Sequence, residues 1–239
     1  MNVYETLPLD KTLSENSYPG RGILIGLTPD GENAVVAYFI MGRSENSRNR
    51  IFVQDIDDVT IYPFDESKVE DPSLIIYSPV RALDNYLIVT NGDQTDTIYN
   101  ALKEGGTFAD ALKTRCFEPD APNYTPRISG MLTFEGDGFT YQMSILKSAD
   151  PMGTACNRYT FDYAPVRGVA HFLHTYNGDG DPIPTFTGEP ERLAIGGKID
   201  EVADTIWQSL NEDNKVSLFV RFIELATGET ETRLFNKNY

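Results

Sequence analysis

The sequence is poor in cysteine, histidine and tryptophan, and these shortages limit its chemistry. Its 239 residues include two cysteines, two histidines and one tryptophan. Two cysteines can form at most one disulfide, and neither Cys116 nor Cys156 has the spacing of a metal-ligand set. We therefore expect reduced thiols and no resident metal ion.

Positive charge and long apolar runs are also scarce. The chain has 20 basic and 36 acidic residues, a formal net charge of −16. No basic tract offers an extended footprint for phosphates, which argues against DNA or RNA as a partner. No run approaches the roughly 18 apolar residues of a membrane span, and residues 1–5 lack the features of a secretory signal. We expect a soluble, cytoplasmic protein.

The residues that are present suffice for a globular core. With 40% hydrophobic residues, a chain of this length can bury a full core. It shows no repeat and no flexible linker, so we expect one domain over residues 1–239. The sequence leaves open whether copies of the chain assemble into a homo-oligomer.

Short apolar runs between turn residues predict many β-strands. Residues 23–27 and 34–41 flank Pro29-Asp30-Gly31 and are predicted to be antiparallel neighbours. Residues 130–134 and 139–146 flank a Glu-Gly-Asp-Gly turn in the same way. Further predicted strands are residues 50–54, 59–62, 86–90 and 216–225.

Helices are predicted to be fewer. They cover residues 96–103, a segment after a Thr107 cap, and residues 198–210, whose apolar side chains recur at helical spacing. A large β component covered by a few helices predicts a layered α+β fold.

The segment 42–50 carries the clearest chemical pattern. Arg43, Arg48 and Arg50 stand among hydroxyl and amide side chains that include Ser44 and Asn49. In an acidic protein, such guanidinium groups and neutral donors suit a small phosphorylated ligand. A solvated loop between two strands has the same composition, so both interpretations stay open.

Residues 90–96 lie where a strand is predicted to end and a helix to begin. Their amides and side chains suit a ribose, a base edge or an anion. The alternative is a capped turn, in which Asn91-Gly92 supplies the left-handed backbone and Thr95 or Asp96 the N-cap.

Two further segments have both a chemical and a structural interpretation. Arg127 follows Pro126 at the start of a predicted strand, near Glu118 and Asp120, which suits an acid or base beside a cation or else a surface ion pair. Residues 171–181 hold both histidines and several carboxyl groups. Their spacing matches neither a zinc motif nor an EF-hand, so we favour a strand followed by Asp-Gly turns.

Taken together, four motifs occur in the order and approximate spacing of the archaeal-type IMP cyclohydrolases. The chain resembles that family over roughly residues 18–146, and residues 171–190 resemble a segment of its longer bacterial members. The motifs are Gly20-Arg21, then Arg43-Ser44 with Asn49-Arg50, then Thr90-Asn91-Gly92 with Thr95-Asp96-Thr97-Ile98, and Thr125-Pro126-Arg127-Ile128.

This resemblance implies a fold and a reaction. The fold is a four-layer αββα sandwich like that of the N-terminal-nucleophile hydrolases. Residue 2 is Asn, so the nucleophile of those enzymes is not expected here, as in the cyclohydrolases. The implied reaction is the reversible, dehydrative closure of 5-formamidoimidazole-4-carboxamide ribotide (FAICAR) to inosine monophosphate (IMP) in purine biosynthesis, with a purine nucleotide as partner and no cofactor.

The resemblance also implies a reacting centre. It assigns Arg50 as donor to the oxyanion, Tyr77 as the group that orients the formyl or carboxamide group, and Glu118 as the proton-transfer group. Tyr77 lies in Ile75–Arg81, which resembles the family's tyrosine followed shortly by arginine, although core packing also explains a tyrosine there. Because one extra residue precedes Thr125, Asp120 is the alternative to Glu118.

The remaining candidate residues concern binding. Arg21, Arg43 and Arg127 are assigned to the 5′-phosphate; the other substrate-binding candidates are Ser44, Asn49, Asn91, Gly92, Asp93 and Thr95. Two other functions stay open. A non-catalytic purine-nucleotide-binding protein would not need Glu118, and an amidohydrolase of the same fold would need processing before a residue such as Thr6 or Cys116.

Overall fold

The computed structural model describes residues 4–69 and 76–238. Asn2, and Ile75 of the tyrosine motif, therefore lie outside the described residues. Within these ranges, β-strands form two seven-stranded sheets. Every neighbouring pair of strands is antiparallel except β1 with β12, which is parallel.

The two sheets are named A and B. In spatial order, sheet A consists of β1 (Leu7–Pro8), β12 (Glu191–Ala194), β11 (Val169–His174), β2 (Arg21–Leu27), β3 (Asn33–Met41), β13 (Lys215–Glu224) and β14 (Thr230–Asn236). Sheet B consists of β10 (Cys156–Tyr163), β9 (Gly138–Ser148), β8 (Arg127–Glu135), β7 (Tyr86–Thr90), β6 (Val80–Leu83), β5 (Asp58–Tyr62) and β4 (Ile51–Asp55).

Helices are short and few in the described chain. They are α1 (Leu9–Glu15), α2 (Glu45–Arg48), α3 (Gln94–Lys103), α4 (Phe108–Lys113) and α5 (Ile199–Ser209), with a 3₁₀ turn at Glu66–Lys68. None of the helices in the two described ranges is long and apolar enough to cross a membrane.

The largest apolar cluster lies between the sheets. Ile25 of β2 and Val36 of β3 belong to it together with Val89 of β7 and Ile128 of β8. The outer face of sheet A packs against α1 and α5, and the outer face of sheet B packs against α3 and α4. Because successive side chains of a strand point to opposite faces and both faces are covered, β2 and β3 have continuous apolar runs.

The structure confirms the α+β class and most of the predicted strands and helices. The predicted hairpin of residues 23–27 and 34–41 is the antiparallel pair β2–β3, with Ile25 opposite Val36. Thr107 caps α4 by accepting a hydrogen bond from the Asp110 N–H at 3.1 Å. The strands β10 and β14 were not predicted, because polar residues interrupt them and they lack an apolar run.

The predicted N-cap of α3 is wrong. The helix begins at Gln94 with Asp93 at the N-cap position, not Thr95 or Asp96, and no side chain caps it. Thr95 is instead buried, and its hydroxyl lies 3.0 Å from the carbonyl oxygen of Gly92 and 2.6 Å from the hydroxyl of Thr90. Asp96 forms an ion pair with Arg81 at 2.7 Å.

Candidate active site

Two tyrosine hydroxyls meet where the two sheets face each other. The Tyr77 hydroxyl donates a hydrogen bond to the carbonyl oxygen of Asn91 at 2.8 Å, and it lies 3.2 Å from the Tyr38 hydroxyl. Tyr38 comes from β3 of sheet A, whereas Tyr77 precedes β6 and Asn91 follows β7 of sheet B. This chain of hydrogen bonds therefore joins the sheets.

Two arginines interact electrostatically with both hydroxyls. Arg21 begins β2 and donates to the Met41 carbonyl oxygen at 2.5 Å, and Arg50 immediately precedes β4. Burial raises the pKa of Tyr77, and the charges of Arg50 and Arg21 oppose that rise. Both hydroxyls are thus neutral donors at physiological pH.

Arg50 has an unsatisfied donor. Its Nε is buried and has no hydrogen-bond partner within the part of the chain that the structure describes. Burial and the nearby charge of Arg21 lower the pKa of Arg50. The group nevertheless stays protonated, because arginine starts from a pKa above about 12. Arg50 as a whole is half-buried. A partly buried cation with an unsatisfied buried donor is suited to meet an anion or a carbonyl oxygen.

Glu118 lies in the loop after α4, within electrostatic reach of three arginines. Burial raises the pKa of Glu118, and the charges of Arg127, Arg21 and Arg50 oppose that rise. Its backbone N–H donates to the Thr125 carbonyl oxygen at 2.9 Å. A partly buried carboxyl with a raised pKa is suited to exchange a proton near neutral pH.

The carboxylate of Asp120 makes different contacts from that of Glu118. It is exposed, and its carboxylate accepts hydrogen bonds from the Thr125 N–H at 2.6 Å and the Thr125 hydroxyl at 2.5 Å. These contacts shape the loop that carries Glu118. The Asp120 carboxylate is thus engaged by Thr125, whereas Glu118 lies within electrostatic reach of the three arginines.

Asn91 is a structural anchor of the site. Its side-chain oxygen accepts from the Ile128 N–H and from Gln94 Nε2, each at 2.9 Å, and its amide nitrogen donates to the Pro126 carbonyl oxygen at 2.8 Å. The buried side chain thus fixes the end of β7 to the start of β8. Its backbone carbonyl then receives the Tyr77 hydroxyl.

Arg127 lies against the turn at Gly92. Its Nη1 donates to Asp93 Oδ1 at 2.8 Å and to Gln94 Oε1 at 2.7 Å. A Cβ atom on Gly92 would lie 2.4 Å from that nitrogen, so a glycine is required for this approach. Desolvation of Asp93 favours its neutral form, but hydrogen bonds and charge from Arg115 and Arg127 hold its pKa below the usual range.

The other candidates of segment 42–50 lie further out. Ser44 caps α2 by accepting from the Ser47 N–H, and Asn49 exchanges two hydrogen bonds with the backbone of Asp65. Arg43 forms an ion pair with Asp179 at 2.6 Å and donates to the Gly180 carbonyl oxygen at 2.8 Å. Ser44 and Asn49 therefore shape the loop, and Arg43 is held at its outer edge.

The segment 171–190 reaches this region. Besides the Arg43–Asp179 pair, the Tyr176 hydroxyl lies 2.6 Å from the Thr125 hydroxyl, and the Ile183 N–H donates to Asn123 Oδ1 at 3.0 Å. The segment 171–190 thus contacts both the segment 42–50 and the loop that carries Glu118.

The two histidines lie on the strand β11, three residues apart. His171 Nδ1 lies 2.6 Å from the Tyr141 hydroxyl, whereas His174 Nδ1 lies 2.8 Å from the Tyr176 carbonyl oxygen. The described residues contain no group of three or more His, Cys, Asp or Glu side chains placed to hold a metal ion.

Sequence reasoning missed several residues of the site. Tyr38 and Arg115 contact predicted residues and lie in no segment that the sequence analysis selected for the site. Gln94, Tyr176 and Asp179 lie in the selected segments 90–96 and 171–181 but were not assigned individually; they contact Arg127, Thr125 and Arg43. Tyr38 is the one that the sequence could have indicated, since it is the only residue with a polar side chain in the run from Ala34 to Met41. The others are brought in by contacts distant in sequence.

The structure defines a protein with two stacked sheets and a half-buried centre of arginine, tyrosine and carboxyl groups. A family described as IMP cyclohydrolase-like protein matches residues 18–229. The IMP cyclohydrolase of Methanosphaera stadtmanae is 35% identical over 162 residues, covering 64% of this chain and 77% of that protein. The IMP cyclohydrolase of Methanopyrus kandleri is 34% identical over 184 residues, covering 71% and 89%. The chain belongs to the IMP cyclohydrolase-like family.

Proposed function

We propose that this chain is an IMP cyclohydrolase, which closes FAICAR to IMP with loss of water. One observation carries the proposal beyond family membership: the buried Nε of Arg50, which has no hydrogen-bond partner among residues 4–69 and 76–238, lies in a centre that also holds Tyr77 and Glu118. The centre thus brings together a cation, a hydroxyl group and a carboxyl group that we propose for proton transfer.

The bond changes define what the centre has to do. The carboxamide nitrogen attacks the formyl carbon, a carbon–nitrogen bond forms, and the formyl oxygen gains negative charge. Water then leaves with that oxygen and with one proton from each of the two nitrogens. Because both reacting groups belong to one substrate, correct placement supplies much of the acceleration. The protein adds oxyanion stabilisation and proton transfer.

Each catalytic residue has a role in this scheme. Arg50 donates from its free Nε to the developing oxyanion, where a charged donor is worth several kcal/mol in a buried site. Glu118, as carboxylate, takes a proton from the attacking carboxamide nitrogen and delivers it to the oxyanion, which gives the carbinolamine hydroxyl. In the dehydration, Glu118 carries the proton of the formamido nitrogen to the departing hydroxyl, which leaves as water. Tyr77 orients the carboxamide group.

The binding residues are proposed as two groups. Arg21, Arg43 and Arg127 supply positive charge for the 5′-phosphate, and for Arg43 this requires exchange of its partner Asp179. The turn around Gly92, with Asn91, Asp93 and Thr95, forms the wall that meets the ribose and base. Ser44 and Asn49 stabilise the segment 42–50 that carries Arg43 and Arg50, through the cap of α2 and the hydrogen bond to the Asp65 backbone.

We also propose that residues 1–239 form one domain with the four-layer αββα arrangement of the N-terminal-nucleophile hydrolases. Two observations support it: α1 and α5 lie outside sheet A while α3 and α4 lie outside sheet B, and both sheets contribute to one central apolar cluster. Such a shared core argues against a division between the sheets.

The decisive experiment follows the ultraviolet absorbance change when the purified protein, freed of metal ions, is mixed with FAICAR. We expect formation of IMP by the wild-type chain and a loss of at least 100-fold in kcat for Arg50→Ala, in line with removal of an oxyanion donor. Arg48→Ala is the matched control. Arg48 belongs to the same loop but is exposed and donates to the Gly42 carbonyl and Asn214 side-chain oxygens.

Two other outcomes would change the functional conclusion. Tight binding of IMP without turnover would favour the non-catalytic nucleotide-binding protein. Cleavage before Thr6 or Cys116, seen as a mass below the 26.7 kDa of the full chain, together with amide hydrolysis would favour the amidohydrolase.

A further inference from the structure

Tyr38 is fully buried on the inner face of β3, and the proposed reaction gives it no role yet. Its ring stacks on Phe52, with ring centroids 5.6 Å apart and an angle of 19° between the planes. The neighbours of Tyr38 in this face, Val36 and Ile40, are wholly apolar. A hydroxyl in such a position is costly unless it forms a hydrogen bond.

The partner of Tyr38 is the Tyr77 hydroxyl, and the direction of this hydrogen bond follows from proton counting. A hydroxyl has one proton to donate. Tyr77 gives its proton to the Asn91 carbonyl oxygen at 2.8 Å, and a carbonyl oxygen can only accept. Tyr38 therefore donates to Tyr77 at 3.2 Å. This leaves one acceptor position on the Tyr77 oxygen.

The charges around the pair preserve this arrangement. Burial raises the pKa of Tyr38 well above its usual value and raises that of Tyr77, so both keep their protons. The nearby cations, Arg21 and Arg50, offer only N–H donors. A chain of hydrogen bonds that ends on a fixed backbone carbonyl polarises each member in one direction.

We propose that Tyr38 is a positioning residue that acts through Tyr77. By donating to Tyr77 it fixes the free acceptor position of that hydroxyl, which then receives one N–H of the attacking carboxamide and turns its nitrogen toward the formyl carbon. No proton passes to Tyr38 or Tyr77 in this step. The role rests on the proposed function.

The test is a double-mutant cycle of Tyr38→Phe and Tyr77→Phe, measured as kcat and KM for FAICAR. Loss of one neutral hydrogen bond corresponds to a factor of roughly 3 to 10. We expect Tyr38→Phe to lower kcat by about that factor with KM within about twofold of wild type. In the Tyr77→Phe background, the same substitution should have no further effect.

Tyr141→Phe is the matched control. Tyr141 is also buried between the sheets, and its hydroxyl lies 2.6 Å from His171 Nδ1. We expect this variant to lose stability but to keep its kcat. If Tyr38→Phe does not fold, Tyr38→Met removes the same hydroxyl with a more adaptable side chain.

Three outcomes would overturn the role of Tyr38. They are an unchanged kcat in Tyr38→Phe, an equal loss in both backgrounds, or a loss no larger than that of Tyr141→Phe. Each of them leaves the proposed function intact, because the wild-type chain still turns over. Absence of turnover in the wild-type chain would instead overturn the proposed function and this role together.

Discussion

At the scale of single residues, the proposed chemistry depends on a few side chains that the fold removes from water. Glu118 is the clearest case, because burial raises the pKa of its carboxyl although three arginines lie near it. Burial raises the pKa of a carboxyl group and nearby positive charge lowers it; for Glu118 the effect of burial is the larger one. Such a group can change its protonation state during a reaction, whereas an ordinary surface carboxylate stays ionised.

We therefore predict that Glu118→Gln lowers kcat by about 100-fold or more while binding of IMP changes little, since general acid–base catalysis contributes about 10² to 10⁴. As the base in ring closure, Glu118 must be ionised. The rate should then rise with pH through the raised pKa of Glu118. This rising part of the pH–rate profile should be absent in Glu118→Gln. A pH profile of kcat/KM checks both expectations.

Asp120→Asn provides the control for that prediction. Asp120 lies in the same loop and is exposed, and its carboxylate accepts two hydrogen bonds from Thr125. We expect Asp120→Asn to change kcat only slightly and to keep the rise of the rate with pH. If Asp120→Asn removed this rise and Glu118→Gln did not, Asp120 would be the proton-transfer group.

At the scale of elements, strands with apolar runs were predictable and strands without them were not. The edge strand β4 was predicted, whereas the edge strands β10 and β14 and the short interior strand β6 were not. The runs in β2 and β3 are apolar because both faces of sheet A are covered, so composition and turn residues suffice to find them. The edge strands β10 and β14 carry residues such as Arg158 and Glu231, as expected where a sheet edge meets solvent.

The same distinction applies to the site. The resemblance to the IMP cyclohydrolases assigns Arg21, Arg50, Tyr77 and Glu118 to one site, and in the structure these side chains interact electrostatically with one another. Contacts such as Arg115 with Asp93 depend on the path of the chain in space. A single sequence contains no pattern for a pair of surface side chains 22 residues apart.

The segment 171–190 gives a prediction at this scale. Its Asp179 forms an ion pair with Arg43, and the two side chains are 51% and 37% exposed. If Arg43 binds the phosphate, Asp179 competes with the substrate for it. Asp179→Asn should then lower KM by a factor of up to about five, because exposed ion pairs are worth about 0 to 1 kcal/mol. Steady-state kinetics with FAICAR at low and high salt measure this effect.

Asp181→Asn is the control for charge alone, since Asp181 lies in the same segment and is exposed. We expect KM to stay near the wild-type value in this variant. A KM that rises in Asp179→Asn would show that the carboxylate holds Arg43 in place for the substrate instead of competing with it.

At the scale of the whole molecule, charge is distributed unevenly. The chain carries a formal net charge of −16, yet Arg21, Arg50 and Arg127 share one centre around Glu118. An acidic exterior repels anions, while a cleft lined by one sign of charge attracts them locally. The cluster of Arg21, Arg50 and Arg127 therefore suits the phosphate group of the proposed substrate.

The contact between the two sheets also includes a titratable pair. His171 Nδ1 of sheet A forms a hydrogen bond with the Tyr141 hydroxyl of sheet B, 2.6 Å away, and the His171 ring stacks on Tyr163, with ring centroids 3.7 Å apart. Burial and the charge of Arg192 lower the pKa of His171 from 6.5 to about 4. The folded protein thus keeps this imidazole neutral at a pH where an unfolded chain would protonate it.

This difference predicts a loss of stability in acid. Between pH 6.5 and pH 4 the unfolded chain binds a proton at His171 that the folded chain does not, so the free energy of unfolding falls as pH falls. From pH 7 to pH 5 this group alone accounts for about 2 kcal/mol. His171→Gln keeps a hydrogen-bond acceptor for Tyr141 but cannot titrate. Denaturant titrations at pH 7 and pH 5 measure the free energy of unfolding of both chains. Between these pH values it should fall by about 2 kcal/mol less in His171→Gln than in the wild-type chain. An equal fall in both chains would mean that His171 is protonated within the folded structure.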